Sequence, residues 1–195
     1  MSSQSIYLVL DMENDLIHAD GPAAKGPFGV QVKERNVIAN TKVALAKARA
    51  AGLKIGYVRV GFSPDYRECP AGSPIFSAAK TNGMFKLGTW GTEVHPDIAP
   101  QPQDFDIVKH RVSPWYGTNL EPILRANNIR RIYCSGISTN AVVQGCVRDG
   151  HDRDYEMIIL EDACVAMSAE EHAAAIAGLK RFCVEITTTT EVQFK

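Results

Sequence analysis

No apolar run in this sequence reaches the roughly 18 residues that a bilayer-spanning helix needs. Charge of one sign is not in excess either: 21 Lys and Arg stand against 22 Asp and Glu, a net charge of −1. Such a balance supplies no broad basic field, so neither nucleic acid nor a membrane surface is expected as a partner. Residues 1–4 lack the basic start and apolar middle of a signal peptide. No CxxC pair occurs, and the five cysteines (Cys69, Cys134, Cys146, Cys164 and Cys183) are odd in number and scattered. That is cysteine usage of a reducing compartment, which points to a cytoplasmic protein. Each thiol is then either a small core residue or a reactive group. Repeats and low-complexity tracts are also missing.

What is present is ordinary globular material. The chain has 195 residues, 45% apolar and 22% charged. A single domain of this size, spanning 1–195, buries roughly 70% of its unfolded surface and needs no disulfide or metal to fold. Ile6-Tyr7-Leu8-Val9-Leu10 is a continuous apolar run, as in strands buried on both faces of a parallel sheet. Residues 30–51 carry helical spacing and end before Gly52, a C-terminal cap. Residues 55–60 read as a second strand. Strands over 105–108, 129–134, 156–160 and 183–188 then alternate with helices over 117–127, 139–153 and 168–180. Thr118 or Asn119 is the expected N-cap of the first of these helices, and Ser168-Ala169-Glu170-Glu171 matches a capping box. Residues 61–102 form an irregular insert with weak helical character at 77–82, the kind of long loop that usually serves function. The alternation predicts right-handed βαβ units around one parallel sheet covered on both faces.

In such sheets ligands bind beyond the carboxyl ends of the strands. Asp11 follows the first strand, Lys109 and His110 the third, and Gly136-Ile137-Ser138-Thr139-Asn140 leads from the fourth into a helix. A carboxylate, a cation and amides at a helix start form a plausible hydrolytic site. Read singly, the Asp is as easily a turn residue and the Lys a solvated one.

These pieces, in order, resemble the isochorismatase-like hydrolase superfamily, which includes cysteine hydrolases such as nicotinamidases and ureidoacrylate amidohydrolases. The resemblance rests on Leu8-Val9-Leu10-Asp11-Met12-Glu13-Asn14-Asp15, Val108-Lys109-His110-Arg111 and the Gly136 to Asn140 turn. Arg148-Asp149-Gly150 and Leu160-Glu161-Asp162-Ala163 support it. The resemblance implies a three-layer, doubly wound α/β fold with a six-stranded parallel sheet. It makes Asp11 a general acid/base and Lys109 its tuning cation. It also places a non-proline cis peptide at Ile137-Ser138 and an anion hole at the backbone amides of Ser138 and Val142.

One departure follows. The nucleophilic thiol of the cysteine hydrolases lies three residues past the turn threonine, and here that position is Val142. A valine has no nucleophile. Isochorismatases proper also lack the thiol and hydrolyse a vinyl ether by protonation and water addition, for which Asp11 and Lys109 suffice. Cys146 is one turn deeper, about 5–6 Å along a helix, and would need a register shift to attack.

Nicotinamidases hold a metal with an Asp and two His after the second strand. Residues 61–69 here contain no His, so neither metal nor other cofactor is expected. Trp90, Trp115 and Tyr116 are expected pocket walls, with subunit packing as the competing role. The insert resembles the oligomer-forming region of relatives, which implies a homodimer or homotetramer. The leading expectation is a hydrolase acting on a small polar or carboxylated metabolite through Asp11 and Lys109 without a cysteine nucleophile. The alternatives are a C–N amidohydrolase and a non-catalytic binding protein.

Overall fold

The computed structural model describes residues 4–195, so most of the segment expected not to be a signal peptide lies outside the described residues. Strand β1 (Ser5–Leu10) is buried along its whole length, as its unbroken apolar run requires. The chain continues through α1 (Asn14–Ile17), α2 (Pro27–Glu34), α3 (Val37–Ala50) and β2 (Lys54–Val60). The insert holds α4 (Ala79–Asn82) and two short 3₁₀ turns, Trp90–Thr92 and Pro96–Ile98. Then come β3 (Phe105–Lys109), α5 (Leu120–Ala126), β4 (Arg131–Gly136), α6 (Gln144–His151), β5 (Glu156–Leu160), α7 (Ala169–Leu179) and β6 (Glu185–Thr187).

The six strands form one all-parallel sheet in the order β3-β2-β1-β4-β5-β6. Side chains alternate across β1: Tyr7 and Val9 pack with Ala44, Leu45 and Ala48 of α3 on one face. Ile6, Leu8 and Leu10 meet Leu120 and Leu124 of α5 and Val147 of α6 on the other. The result is the expected three-layer α/β fold. A smaller apolar cluster, built on Phe62, Phe76 and Phe85, lies beneath the insert.

Several element boundaries differ from expectation for tertiary reasons. The helix expected over 30–51 is two helices, broken at Asn36, whose φ is +51°. Arg35 reaches across to donate to the carbonyls of Cys164 (3.0 Å) and Glu161 (2.9 Å), and Asn40 caps the Arg35 carbonyl at 3.0 Å. Two long-range bonds thus win over helical continuity. The helix expected over 139–153 opens with a wider π-turn, Thr139–Val143, before α6. The Ser168 side chain accepts from the Glu171 amide, as a capping box requires.

Candidate active site

The strand order reverses direction between β1 and β4, because β2 lies on one side of β1 and β4 on the other. Crossovers leave that point on opposite faces and open a crevice there. Asp11 stands at its floor, directly after β1. Its amide donates to the Val58 carbonyl (2.8 Å), and its φ of +55° turns the chain out of the sheet. Gly136 ends β4 beside Leu10, where an added Cβ would lie 2.1 Å from the Leu10 carbonyl oxygen. Only glycine permits this approach. The next peptide, Ile137-Ser138, is cis. The π-turn follows, with the Val143 amide bonded back to the Ser138 carbonyl (3.2 Å). Such turns are frequent at functional sites.

Lys109 ends β3, two strands away, and its long side chain crosses to the pair. Its Nζ is 2.9 Å from Asp11 Oδ2 and donates to the Arg111 carbonyl at 2.9 Å. Both residues are buried, and Asp11 Oδ1 has no partner within the protein. Burial raises the Asp11 pKa, and the Lys109 charge and hydrogen bond only partly oppose it.

The residues after Asp11 contribute more than the sequence reading assigned them. Glu13 is fully buried, and neither of its carboxylate oxygens has a hydrogen-bond partner. Burial first, and then the Asp11 charge, hold its carboxyl well above the usual range. Asp15 accepts from the Phe85 amide at 2.6 Å, and Asn14 donates to the Trp90 carbonyl at 2.9 Å. The motif therefore anchors the insert as well as supplying Asp11. Its clustered carboxylates were a visible signal, but only packing shows that they are buried.

A cavity of about 580 Å³ opens above the pair, lined by Asp11, Lys109, Ser138 and Val142 together with apolar side chains of the insert. The fold thus brings together Asp11, Lys109, Ser138 and Val142. It does not bring in the three aromatics. Trp115 is buried on the α5–α6 face of the sheet, where its Nε1 donates to the Cys146 carbonyl (3.0 Å). Trp90 lies edge-on to His18 on the outside of the insert, and Tyr116 is 70% exposed. The expected walls are corrected to Phe28, Phe76, Met84 and Phe85. Phe76, Met84 and Phe85 come from irregular chain, where periodicity gives no signal, and Phe28 lies on α2.

Cys146 does not reach the cavity. It is fully buried on the core-facing side of α6, with its thiol against that of Cys134. The hydrogen bond between them, with burial, pushes the Cys134 thiol well above its ordinary range. Cys164 is also core. His110 turns away from Lys109, toward the Gly61 carbonyl (2.5 Å), and stacks on Phe62. His18 and His95 are ring neighbours, and His95 Nδ1 accepts from the Asp97 amide. Among the described residues, no three His, Cys, Asp or Glu side chains are grouped to hold a metal ion.

The turn carrying Ser138 is fixed from behind. Thr139 Oγ1 meets His172 Nδ1 at 2.9 Å, and His172 Nε2 lies 3.0 Å from Arg35 Nη2 and 3.1 Å from Glu161 Oε2. Burial lowers the His172 pKa and the Glu161 hydrogen bond partly opposes this. The ring joins the turn at Thr139 to the Arg35–Glu161 ion pair.

The ureidoacrylate amidohydrolase RutB of Acinetobacter baylyi is 33% identical over 192 residues, covering 92% of this chain and 78% of that protein. Among solved structures, a cysteine hydrolase from Pseudomonas syringae pv. phaseolicola matches with a TM-score of 0.85 at 24% identity, covering 96% of this chain and 90% of that one. An N-carbamoylsarcosine amidase from Thermoplasma acidophilum matches with a TM-score of 0.77 at 25% identity, covering 98% and 100%. With the Isochorismatase domain matched over residues 5–191 and a one-third identical relative along nearly the same span, the chain belongs to the isochorismatase family and is a hydrolase.

Proposed function

We propose that this hydrolase works by acid–base chemistry at Asp11 and Lys109, with water rather than a thiol as the nucleophile. The observation that carries this reading is the buried 2.9 Å Asp11–Lys109 pair at the cavity floor with Val142 beside it. The raised pKa of Asp11 suits a general acid. On a vinyl ether, Asp11 gives its proton to the enol carbon, water adds to the resulting oxocarbenium carbon and returns a proton to Asp11, and the neutral hemiketal collapses to a carbonyl compound and an alcohol.

A second reading, hydrolysis of a C–N bond, is favoured by the amidohydrolase relative. Here Asp11 takes a proton from water, which attacks the carbonyl carbon. The oxyanion rests on the Ser138 and Val142 amides, and Asp11 returns the proton to the leaving nitrogen. The products are a carboxylic or carbamic acid and an amine.

The test is a panel of vinyl ethers, amides and ureides assayed with the wild-type protein and with Asp11→Asn. Turnover that this substitution lowers by about a hundredfold to ten-thousandfold, and that iodoacetamide leaves untouched, is expected. Inactivation by iodoacetamide that Cys146→Ser prevents would assign the nucleophile to Cys146. Absence of any Asp11-dependent turnover would leave no catalytic reading.

A further inference from the structure

The cavity walls differ in character from its floor. Phe28, Phe76, Met84, Phe85 and Val112 are apolar, and Ile75 and Met167, both more than half exposed, extend that surface to the mouth. Besides Asp11, Lys109 and Ser138, the polar side chains on the lining are Asn82, Asn140 and Glu171. Lys109 is the only cationic side chain among the described lining residues. Its ammonium is held by Asp11 and by the Arg111 carbonyl. The other ionisable group at the wall, Glu171, is an acid whose carboxylate is tied to the Asn140 amide (3.1 Å). A carboxylate lodged away from the floor would therefore meet apolar surface and a like charge, with no cation to replace its water.

We propose that the substrate has an apolar body, aliphatic or aromatic and without a carboxylate, which lies against Phe28, Phe76, Met84 and Phe85 while its polar, hydrolysable head reaches Asp11 and Lys109. This rests on the reading that chemistry takes place at that pair, and it departs from the small polar or carboxylated metabolite expected from sequence. The preference has a local cause. The insert turns its own apolar cluster, Phe76, Ala79 and Phe85, toward the crevice beside Val60 of β2, so the residues that fold the insert also form the wall. Val142 continues this surface down to the floor. Binding gains by removing apolar ligand surface from water, and specificity against a charged analogue comes from the desolvation that analogue suffers.

Two amides with the same head separate the possibilities: 3-phenylpropanamide and succinamate, the monoamide of succinate. Each is titrated calorimetrically into the wild-type protein. The phenyl compound is expected to bind at least about tenfold more tightly. Phe76→Ala should weaken it several-fold. Because that change could loosen the insert, the exposed Glu171→Lys is measured alongside. This second variant should raise succinamate affinity several-fold and so narrow its gap to 3-phenylpropanamide. Succinamate binding as tightly as the phenyl compound, or no binding of either at millimolar concentration, overturns the proposal. If 3-phenylpropanamide binds selectively but no compound with that body is turned over, the catalytic reading fails and the binding inference stands. If Asp11-dependent turnover appears only with carboxylated compounds, the inference fails and the catalytic reading stands.

Discussion

Asp11 carries opposing influences, and their balance sets its pH behaviour. Burial outweighs Lys109, so the carboxyl keeps its proton above the usual carboxylate range. If it acts as an acid on a vinyl ether, kcat/KM should fall as pH rises through that raised value; if it acts as a base on an amide, kcat/KM should rise over the same interval. A pH–rate profile therefore decides between the two chemistries. Glu13 makes a separate prediction. Its folded pKa lies well above the unfolded one, so its contribution to stability is fully present below the ordinary carboxylate range. As pH climbs, the unfolded chain ionises first, and that contribution is lost until the folded carboxyl itself ionises. Glu13→Gln should therefore flatten the decline in stability above the carboxylate range by up to about 1.4 kcal/mol per pH unit, the slope of one proton. Urea titrations at several pH values measure it, and an unchanged slope would show that Glu13 is ionised in the fold. At the nucleophile-equivalent position, Val142→Cys should give a cavity thiol that iodoacetamide labels, whereas the buried Cys134 and Cys146 should resist it.

The element that matters most is the passage from β4 into α6. The sequence showed a glycine-led turn and a helix, and both are present, but the π-turn between them depends on partners far along the chain. His172 on α7 and Arg35 at the break between α2 and α3 meet behind Thr139. Because burial lowers the His172 pKa below that of the unfolded chain, its contribution is present above the ordinary imidazole range and is lost as pH falls through the lowered value. His172→Phe should remove that acid-side slope and also leave Thr139 and Arg35 short of a partner, costing about 1–3 kcal/mol at neutral pH. Thermal melts from mildly acidic to neutral pH would test both effects. The helix break at Asn36 arises in the same way. Residues 30–51 carry one uninterrupted helical pattern, and nothing local announces that Arg35 is needed at Glu161 and Cys164.

Across the whole molecule the two main cores are joined through β1, which presents Tyr7 and Val9 to one and Leu8 and Leu10 to the other. The insert is tied to the same strand end through Asp15 and Asn14. Unfolding should therefore be a single cooperative transition. Trp90→Phe leaves Trp115 to report the α5–α6 core, and Trp115→Phe leaves Trp90 to report the insert. Coincident urea curves from the two variants, each corrected for its own stability against circular dichroism, are expected, and an earlier Trp90 transition would show an independently unfolding insert. The sequence by itself determined the α/β architecture, because apolar periodicity and strand–helix alternation are local patterns that burial must respect. It also marked Asp11, Lys109 and the Gly136 turn as strand-end groups, since a parallel sheet gathers those ends at one edge. Long-range packing set the 2.9 Å contact between Asp11 and Lys109, the burial that outweighs their attraction, the core-facing side of Cys146, and a cavity wall of Phe28, Phe76, Met84 and Phe85 in place of Trp90, Trp115 and Tyr116. Those outcomes depend on distances and desolvation between residues remote in the chain, and no local pattern encodes either.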